Sequence, residues 1–234
     1  MTTGQRVALV TGAANGLGLA DAERLTAGGY AVIVADIDAT AATAAAERLG
    51  GGAVGVQVDV ADPEAVTDLF ARVDDEFGRL DVLVNNAGIS YPEPTAEVTE
   101  ERWQRMIDIH LGGTFRCSRG AYPLLARQGG AIVNVSSIAA ILGAGKRASY
   151  SAAKGGIAAL TRDLAIEWAS DRIRVNAVAP GVIETEILND NIERGLLDPS
   201  TFEARIPLGR LGSPQRSLRR STSSPTPPRT SRAR

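Results

Sequence analysis

The sequence predicts a single-domain α/β protein of the Rossmann type, with helices on both faces of a doubly wound parallel sheet in three layers. Three observations predict this class. Short apolar runs alternate with longer helical stretches along the chain. A glycine-rich segment, residues 11–18, directly follows the first apolar run. Polar residues cluster after the apolar runs, where the ligand crevice of an open α/β sheet lies.

The predicted elements follow one another in a regular order. Six apolar runs have the length of strands, at residues 6–10, 31–35, 53–58, 81–84, 131–135 and 173–178. Helical stretches separate them, at residues 16–28, 39–49, 62–77, 99–127 and 149–169. Asp62 and Thr99 are suitable N-caps, and Pro63 suits the first position of its helix. Helical crossovers between strands give right-handed connections and a parallel sheet.

The composition bounds the protein class. A chain of 234 residues that is 44% apolar can bury one sizeable core, although only 4% of its residues are aromatic. Cys117 is the only cysteine, so no intrachain disulfide forms, and we expect a reducing compartment, the cytoplasm. The apolar runs are too short to cross a bilayer and no signal peptide is recognisable, so we expect no membrane partner.

Charge is distributed unevenly along the chain. Residues 215–234 contain six arginines and no acidic residue, although the whole chain has a net charge of −2. The main body, residues 1–214, is therefore acidic, which argues against nucleic acid as a partner.

Tyr150, Lys154 and Ser137 form the clearest chemical signal. Only two of the 25 basic residues are lysines, Lys146 and Lys154, so a lysine one helical turn after a tyrosine indicates a need for an amine. Side chains at i and i+4 share a helix face, and an ammonium there is expected to lower the phenol pKa from about 10. Such a phenol can exchange a proton with an alcohol or a carbonyl, whose oxygen Ser137 would hold. Taken alone, the pair is equally consistent with two neighbouring surface residues.

The glycine-rich turn predicts a phosphate-binding loop. Gly12, Gly16 and Gly18 would let the backbone approach a pyrophosphate at the N-terminus of the next helix. Asp36 follows the second strand, where a carboxylate can bind ribose hydroxyls and repel a 2′-phosphate. Asn15, and not a basic residue, precedes Gly16. We therefore favour NAD over NADP as the cofactor, with a tight turn and a helix-capping Asp36 as the structural alternatives.

These residues resemble the short-chain dehydrogenase/reductase family, specifically its common single-domain branch. The resemblance extends to about Pro214, and its matching segments are residues 11–18, 59–60, 85–88, 137, 150–154, 174–176 and 180–181. It implies NAD(P)-dependent conversion between a secondary alcohol and a ketone, in which the cofactor carries the hydride. It also implies a homotetramer or a homodimer.

The resemblance implies roles for individual residues. Tyr150 is the expected general acid/base, Lys154 lowers its pKa and binds the nicotinamide ribose, and Ser137 orients the substrate oxygen. The expected cofactor contacts are Gly12, Asn15, Gly16, Leu17, Gly18, Asp36, Ile37, Asp59, Val60, Asn86, Ala87, Gly88, Tyr150, Lys154, Pro180, Gly181, Val182, Ile183 and Thr185. No metal is expected. The substrate loops, residues 90–97, 138–147 and 184–206, would fit a moderately polar ketone, a sugar alcohol or a 3-oxoacyl group.

The chain departs from the family at His110, its only histidine. The family usually has an asparagine there, which holds a water in a proton relay from the lysine. An imidazole also binds water and titrates near neutrality. His110 is therefore either a substituted relay residue, which we count among the catalytic residues, or a packing residue.

The tail, residues 215–234, is a second departure. Where the family continues with a helix and the last strand of the sheet, this segment is too poor in apolar residues to order itself. We expect a disordered basic tail, a sheet without its last strand and a weakened oligomer interface. The tail is either a natural extension that contacts anionic surfaces or, as we favour, the product of a one-base deletion. The alternative function is accordingly a dinucleotide-binding protein without turnover.

Overall fold

The computed structural model of the protein describes residues 4–143, 145–198, 200, 204 and 206–214. The predicted basic tail, residues 215–234, lies outside the described residues. The six strands agree with the sequence prediction in number and order.

A parallel six-stranded sheet forms the centre of the fold. Its strands are β1 (Val7–Thr11), β2 (Ala31–Asp36), β3 (Val54–Gln57), β4 (Val82–Asn85), β5 (Gly130–Val135) and β6 (Ile173–Val178). They are ordered β3-β2-β1-β4-β5-β6, and every neighbouring pair is parallel. The order reverses between β1 and β4, which places a crevice at the carboxyl ends of these two strands.

Seven α-helices accompany these strands within the described residues. They are α1 (Gly16–Ala27), α2 (Ala39–Leu49), α3 (Pro63–Phe77), α4 (Glu100–Ile107), α5 (Gly113–Ala126), α6 (Ala148–Glu167) and α7 (Glu186–Glu193). The predicted caps are confirmed, because Asp62 accepts from the Glu64 N–H and Thr99 accepts from the Arg102 N–H. None of these helices is long and apolar enough to cross a membrane.

Alternating side chains of the strands build a core on each face of the sheet. Val7 and Leu9 of β1 pack in the cluster that also contains apolar side chains of α3, α5 and α6. Ala8 and Val10 pack in the second cluster, with side chains of α1 and α2. This period-two division, with helices on both faces, confirms the predicted three-layer architecture.

The predicted single helix over residues 99–127 is interrupted in the structure. A π-helical turn, Asp108–Gly112, joins α4 to α5 and contains His110. At the start of α5, a Cβ on Gly113 would lie 2.7 Å from Val60 Cγ2, so the helix approaches the loop after β3 more closely than a larger residue allows. Such π turns are frequent at functional sites.

Two further features concern the C-terminal part of the fold. Helix α7 lies within residues 184–206, which the sequence reading treated as loop, and the Thr185 hydroxyl accepts from the Leu188 N–H at its start. In the described part of the chain, β6 pairs only with β5 and forms an edge of the sheet. The expected loss of the last strand concerns residues 215–234, which lie outside the described residues, and stays a prediction.

Candidate active site

A cleft of about 900 Å³ lies at the carboxyl ends of the strands. It brings together all the residues that the sequence singled out for catalysis or cofactor contact, except Gly18. Those that line it are Gly12, Asn15, Gly16, Leu17, Asp36, Ile37, Asp59, Val60, Asn86, Ala87, Gly88, His110, Ser137, Tyr150, Lys154, Pro180, Gly181, Val182, Ile183 and Thr185.

The glycine-rich loop after β1 requires glycine for steric reasons. Gly12 has a φ of +62°, and a Cβ on it would lie 2.8 Å from the Ala87 Cα. Gly18 lies behind the loop, where a Cβ would overlap the carbonyl of Gly12. The loop thus turns tightly into the N-terminus of α1, and its backbone is open to a phosphate in the cleft.

Hydrogen bonds between two strand ends hold this loop in place. Thr11 Oγ1 accepts from the backbone N–H groups of Asn86 at 3.0 Å and Ala87 at 3.1 Å. The Asn86 amide Nδ2 donates to the carbonyls of Thr11 at 3.0 Å and Gly12 at 2.9 Å. The sequence predicts a cofactor contact for Asn86, and the structure shows that its side chain also holds the glycine-rich loop in place.

Asp36 stands at the end of β2 with its carboxylate fixed by the backbone. Its Oδ2 accepts from the Ala14 N–H at 3.0 Å, and its Oδ1 accepts from the Asp38 N–H at 3.2 Å. At the end of β3, the Asp59 carboxylate accepts from the Ala61 N–H at 2.9 Å. The residues present therefore fit a dinucleotide, with glycine at the phosphates and a fixed carboxylate where the ribose would lie.

Tyr150, Lys154 and Ser137 meet on the wall of the cleft between α6 and the end of β5. The Lys154 ammonium lies 5.7 Å from the centre of the Tyr150 ring and donates to the carbonyl of Val135 at 2.7 Å. Ser137 lies two residues beyond the end of β5, is buried, and accepts from the Ala139 N–H at 3.1 Å. The predicted i, i+4 spacing on a helix is confirmed, and Lys154 is buried and not a surface neighbour.

The electrostatics of this trio correct one prediction. Burial raises the pKa of Tyr150, and the hydrogen bond with Ser137 and the charge of Arg147 only partly oppose that rise. Burial also lowers the pKa of Lys154 to about 7. The predicted net lowering of the Tyr150 pKa is therefore not found in this structure, because burial outweighs the opposing contacts. The reason is that both groups are desolvated, so the phenol is neutral and the lysine loses its own charge easily.

His110 is held in the π turn against the ring of Tyr150. Its ring stands perpendicular to the Tyr150 ring at a centroid distance of 5.3 Å. Its Nε2 lies 2.7 Å from the Ile89 carbonyl oxygen and 3.1 Å from the Ile89 backbone nitrogen, so Nε2 donates to the carbonyl in one tautomer and accepts from the N–H in the other, whereas Nδ1 has no partner among the described residues. Gly88 makes room for the ring, because a Cβ there would lie 2.7 Å from Nδ1.

The protonation of His110 corrects a second expectation. Burial, and next the charge of Lys154, lower the pKa of the imidazole to about 3. The ring therefore stays neutral at physiological pH and does not titrate near neutrality. A role as a hydrogen-bonding or packing residue remains consistent with this geometry, whereas a role that needs a protonated imidazole does not.

The sequence reading missed a polar cluster at the substrate loops. Arg147 donates from Nη1 to Ser90 Oγ at 2.8 Å. Asn191 of α7 donates from Nδ2 to the carbonyls of Ser90 at 2.9 Å and Ile187 at 2.7 Å. All three cluster residues, Ser90, Arg147 and Asn191, line the cleft. Their positions within the predicted substrate loops were the available signal, since no motif marks them.

Comparisons with known proteins identify the family of this chain. A model of the family described as short chain dehydrogenase matches residues 6–194. The chain is 44% identical to the short-chain reductase protein NovJ of Streptomyces niveus, over 90% of this chain and 83% of that protein. It is also 44% identical to cis-4-hydroxycyclohexanecarboxylate dehydrogenase of Sinomonas cyclohexanicum, over 90% of this chain and 85% of that protein.

A solved structure shows the same architecture. The crystal structure of gox2181 superimposes with a TM-score of 0.86 and is 36% identical in sequence, covering 92% of this chain and 86% of that one. The family match over most of the chain and the level of identity to its relatives lead to one conclusion: this chain belongs to the short-chain dehydrogenase family.

Proposed function

We propose that the protein is an NAD-dependent oxidoreductase that transfers a hydride between nicotinamide and a secondary alcohol or ketone, with Tyr150 as the general acid/base. Membership of the family supports a dehydrogenase or reductase. The observation that carries the finer proposal is the convergence of Tyr150, Ser137 and Lys154 on one wall of the cleft that also contains the glycine-rich loop.

The preference for NAD rests on charge at the end of β2. The Asp36 carboxylate is partly exposed in the cleft, and no basic residue occurs in residues 12–18 or 36–38. A 2′-phosphate beside Asp36 would meet like charge, whereas ribose hydroxyls can donate to the carboxylate. NADH is therefore expected to bind more tightly than NADPH.

The trio can supply proton transfer and orientation. When bound, the nicotinamide supplies or accepts the hydride. Because burial keeps the Tyr150 phenol protonated, it can donate its proton to a carbonyl oxygen during reduction. Ser137 is placed to hydrogen-bond the same oxygen. Lys154, with a pKa of about 7, exists in both protonation states near neutral pH, so it can pass a proton onward.

The proposal is tested by titrating the 234-residue protein with NADH and NADPH and by measuring NADH oxidation on a panel of ketones. Selective NADH binding together with turnover supports the oxidoreductase. Selective NADH binding without turnover on any ketone or alcohol favours the alternative, a dinucleotide-binding protein. Equal binding of NADH and NADPH would contradict the role of Asp36. The homo-oligomer and the cytoplasmic location stay predictions.

A further inference from the structure

A half-buried arginine that pairs with no carboxylate of the described residues lies beside Tyr150. Arg147 immediately precedes α6, and its guanidinium carbon lies over the Tyr150 ring at 5.8 Å from the ring centre. Its side-chain hydrogen bond in the described structure goes from Nη1 to Ser90 Oγ. A guanidinium carries five N–H donors, so most of its donors are unused by these contacts.

Several other arginines of the chain contact a carboxylate. Five of them do so at 2.6 to 2.8 Å, namely Arg72, Arg79, Arg102, Arg116 and Arg127. No carboxylate of the described residues pairs with Arg147. Burial lowers the pKa of Arg147, which means that its surroundings disfavour the positive charge that it nevertheless retains. An anion that enters the cleft would compensate this charge.

The guanidinium is also oriented in advance. Ser90 receives the hydrogen bond from Arg147 through its hydroxyl, and its carbonyl is tied to Asn191 of α7. Two segments distant in sequence therefore hold the partner of Arg147 in place. A charged group that is already oriented loses less conformational entropy when it binds a ligand.

The other side chains that line the cleft indicate the chemical character of the uncharged part of the ligand. Among the described residues, the acidic ones that line the cleft are Asp36 and Asp59, which follow β2 and β3 at the expected adenosine end. The substrate loops contribute the apolar side chains of Ile138, Leu142, Leu188, Leu197 and Ile206, and Leu208 lies just beyond them in the cleft wall. The lining around Arg147 thus combines an apolar surface with an uncompensated cation.

We propose that Arg147 binds a carboxylate on the substrate, so that the protein acts on apolar hydroxy acids or oxo acids in preference to neutral alcohols and ketones. The inference rests on the proposed function, because it names the substrate class of that same site. The carboxylate accepts from the free N–H donors of Arg147 while the reacting oxygen lies at Tyr150. Arg147 is accordingly a specificity-determining residue, and its planar guanidinium suits bidentate binding of a carboxylate.

The test compares two oxo acids, 4-oxopentanoate and 5-oxohexanoate, with their methyl esters. Each ester retains the ketone and the carbon skeleton but lacks the charge. Binding is measured by calorimetry on the full 234-residue protein, and kcat/KM is measured with NADH. We expect the wild type to prefer the better oxo acid over its ester by about 10- to 100-fold, the range for hydrogen bonds to a charged group.

Substitutions separate charge from shape. Arg147→Met is expected to bring the acid-to-ester ratio close to one, and Arg147→Lys is expected to give an intermediate ratio. Any effect of Arg147 on the Tyr150 pKa acts on both members of a pair, so it cancels in the ratio. Arg162→Met is the matched control, because Arg162 is exposed on α6 outside the cleft and the substitution removes the same charge. Its ratio is expected to equal that of the wild type.

The outcomes distinguish this inference from the proposed function. Equal binding of acid and ester by the wild type, or a ratio that Arg147→Met leaves unchanged, overturns the carboxylate site. Selective, Arg147-dependent binding of the oxo acid without NADH-dependent turnover supports the carboxylate site and contradicts the oxidoreductase.

Discussion

Gly88 and His110 form a contact that is testable by a double-mutant cycle. A Cβ on Gly88 would lie 2.7 Å from Nδ1 and 3.1 Å from Nε2 of the His110 ring, and it would overlap Cε1. The ring cannot easily move away, because it is 2% exposed and its Nε2 is bonded to the Ile89 carbonyl. Gly88→Ala is therefore expected to overpack this site.

The size of the effect follows from the contacts. Overpacking costs typically 1–3 kcal/mol, and overlap with a fixed ring places Gly88→Ala at roughly 3 kcal/mol. The φ of Gly88 is not positive, so alanine adds no backbone strain there. Alanine also reduces the conformational entropy of the unfolded chain, which stabilises the folded protein by about 0.4–1 kcal/mol. The net loss is about 2 kcal/mol, or a fall in Tm of about 4–8 °C for a protein of this size.

The assay is urea denaturation followed by circular dichroism for the wild type, Gly88→Ala, His110→Ala and the double variant. His110→Ala alone is expected to cost roughly 3 kcal/mol through lost packing and a lost hydrogen bond. In the His110→Ala background, Gly88→Ala should cost nothing or stabilise slightly, which gives a coupling energy of about 2–3 kcal/mol. An equal cost of Gly88→Ala in both backgrounds would refute the contact.

Two further predictions concern the loop and the lysine. Gly18→Ala is expected to destabilise the protein by about 2–3 kcal/mol and to abolish NADH binding, because its Cβ would meet the Gly12 carbonyl. A Cβ on Gly155 would have nothing within 4 Å, so Gly155→Ala should stabilise the protein by about 0.5–1 kcal/mol in the same urea melts. Similar effects of the two substitutions would contradict the described packing of the loop. The pKa of Lys154 is about 7 in the folded protein and 10.5 as the usual value. Burial of the charged lysine therefore destabilises the folded state fully below about pH 7, and this destabilisation decreases as the pH rises toward 10.5. In urea melts, the gain in stability from Lys154→Met should be about 2–3 kcal/mol larger at pH 6.5 than at pH 9. A gain that does not change with pH would contradict a buried lysine with a lowered pKa.

The sheet and most of the site were predictable because local chemistry determines them. The strands β1 and β2 are short apolar runs that are buried on both faces of the sheet. Such a run ends at the polar residue that lies in the cleft, as β2 ends at Asp36. The loop glycines were recognisable because their backbone conformation and close contacts exclude larger residues. The Tyr150 and Lys154 spacing of four residues follows directly from the helix period.

The remaining features depend on contacts between segments that are distant in sequence. The π turn arises where Gly113 passes close to Val60, about fifty residues earlier, and no local propensity indicates it. The protonation states of Tyr150, Lys154 and His110 depend on burial, which a one-turn spacing does not reveal. The Ser90 and Arg147 contact likewise joins two loops that only the folded cleft brings together.

The central claim is that Tyr150 exchanges the proton in a nicotinamide-dependent reaction. The most direct measurement is kcat for a ketone at saturating NADH in the wild type and in Tyr150→Phe, with NADH binding measured on both. The account predicts that Tyr150→Phe still binds NADH but loses about 10²–10⁴-fold in kcat, the usual contribution of a positioned general acid. A Tyr150→Phe variant that retains wild-type kcat would contradict the claim.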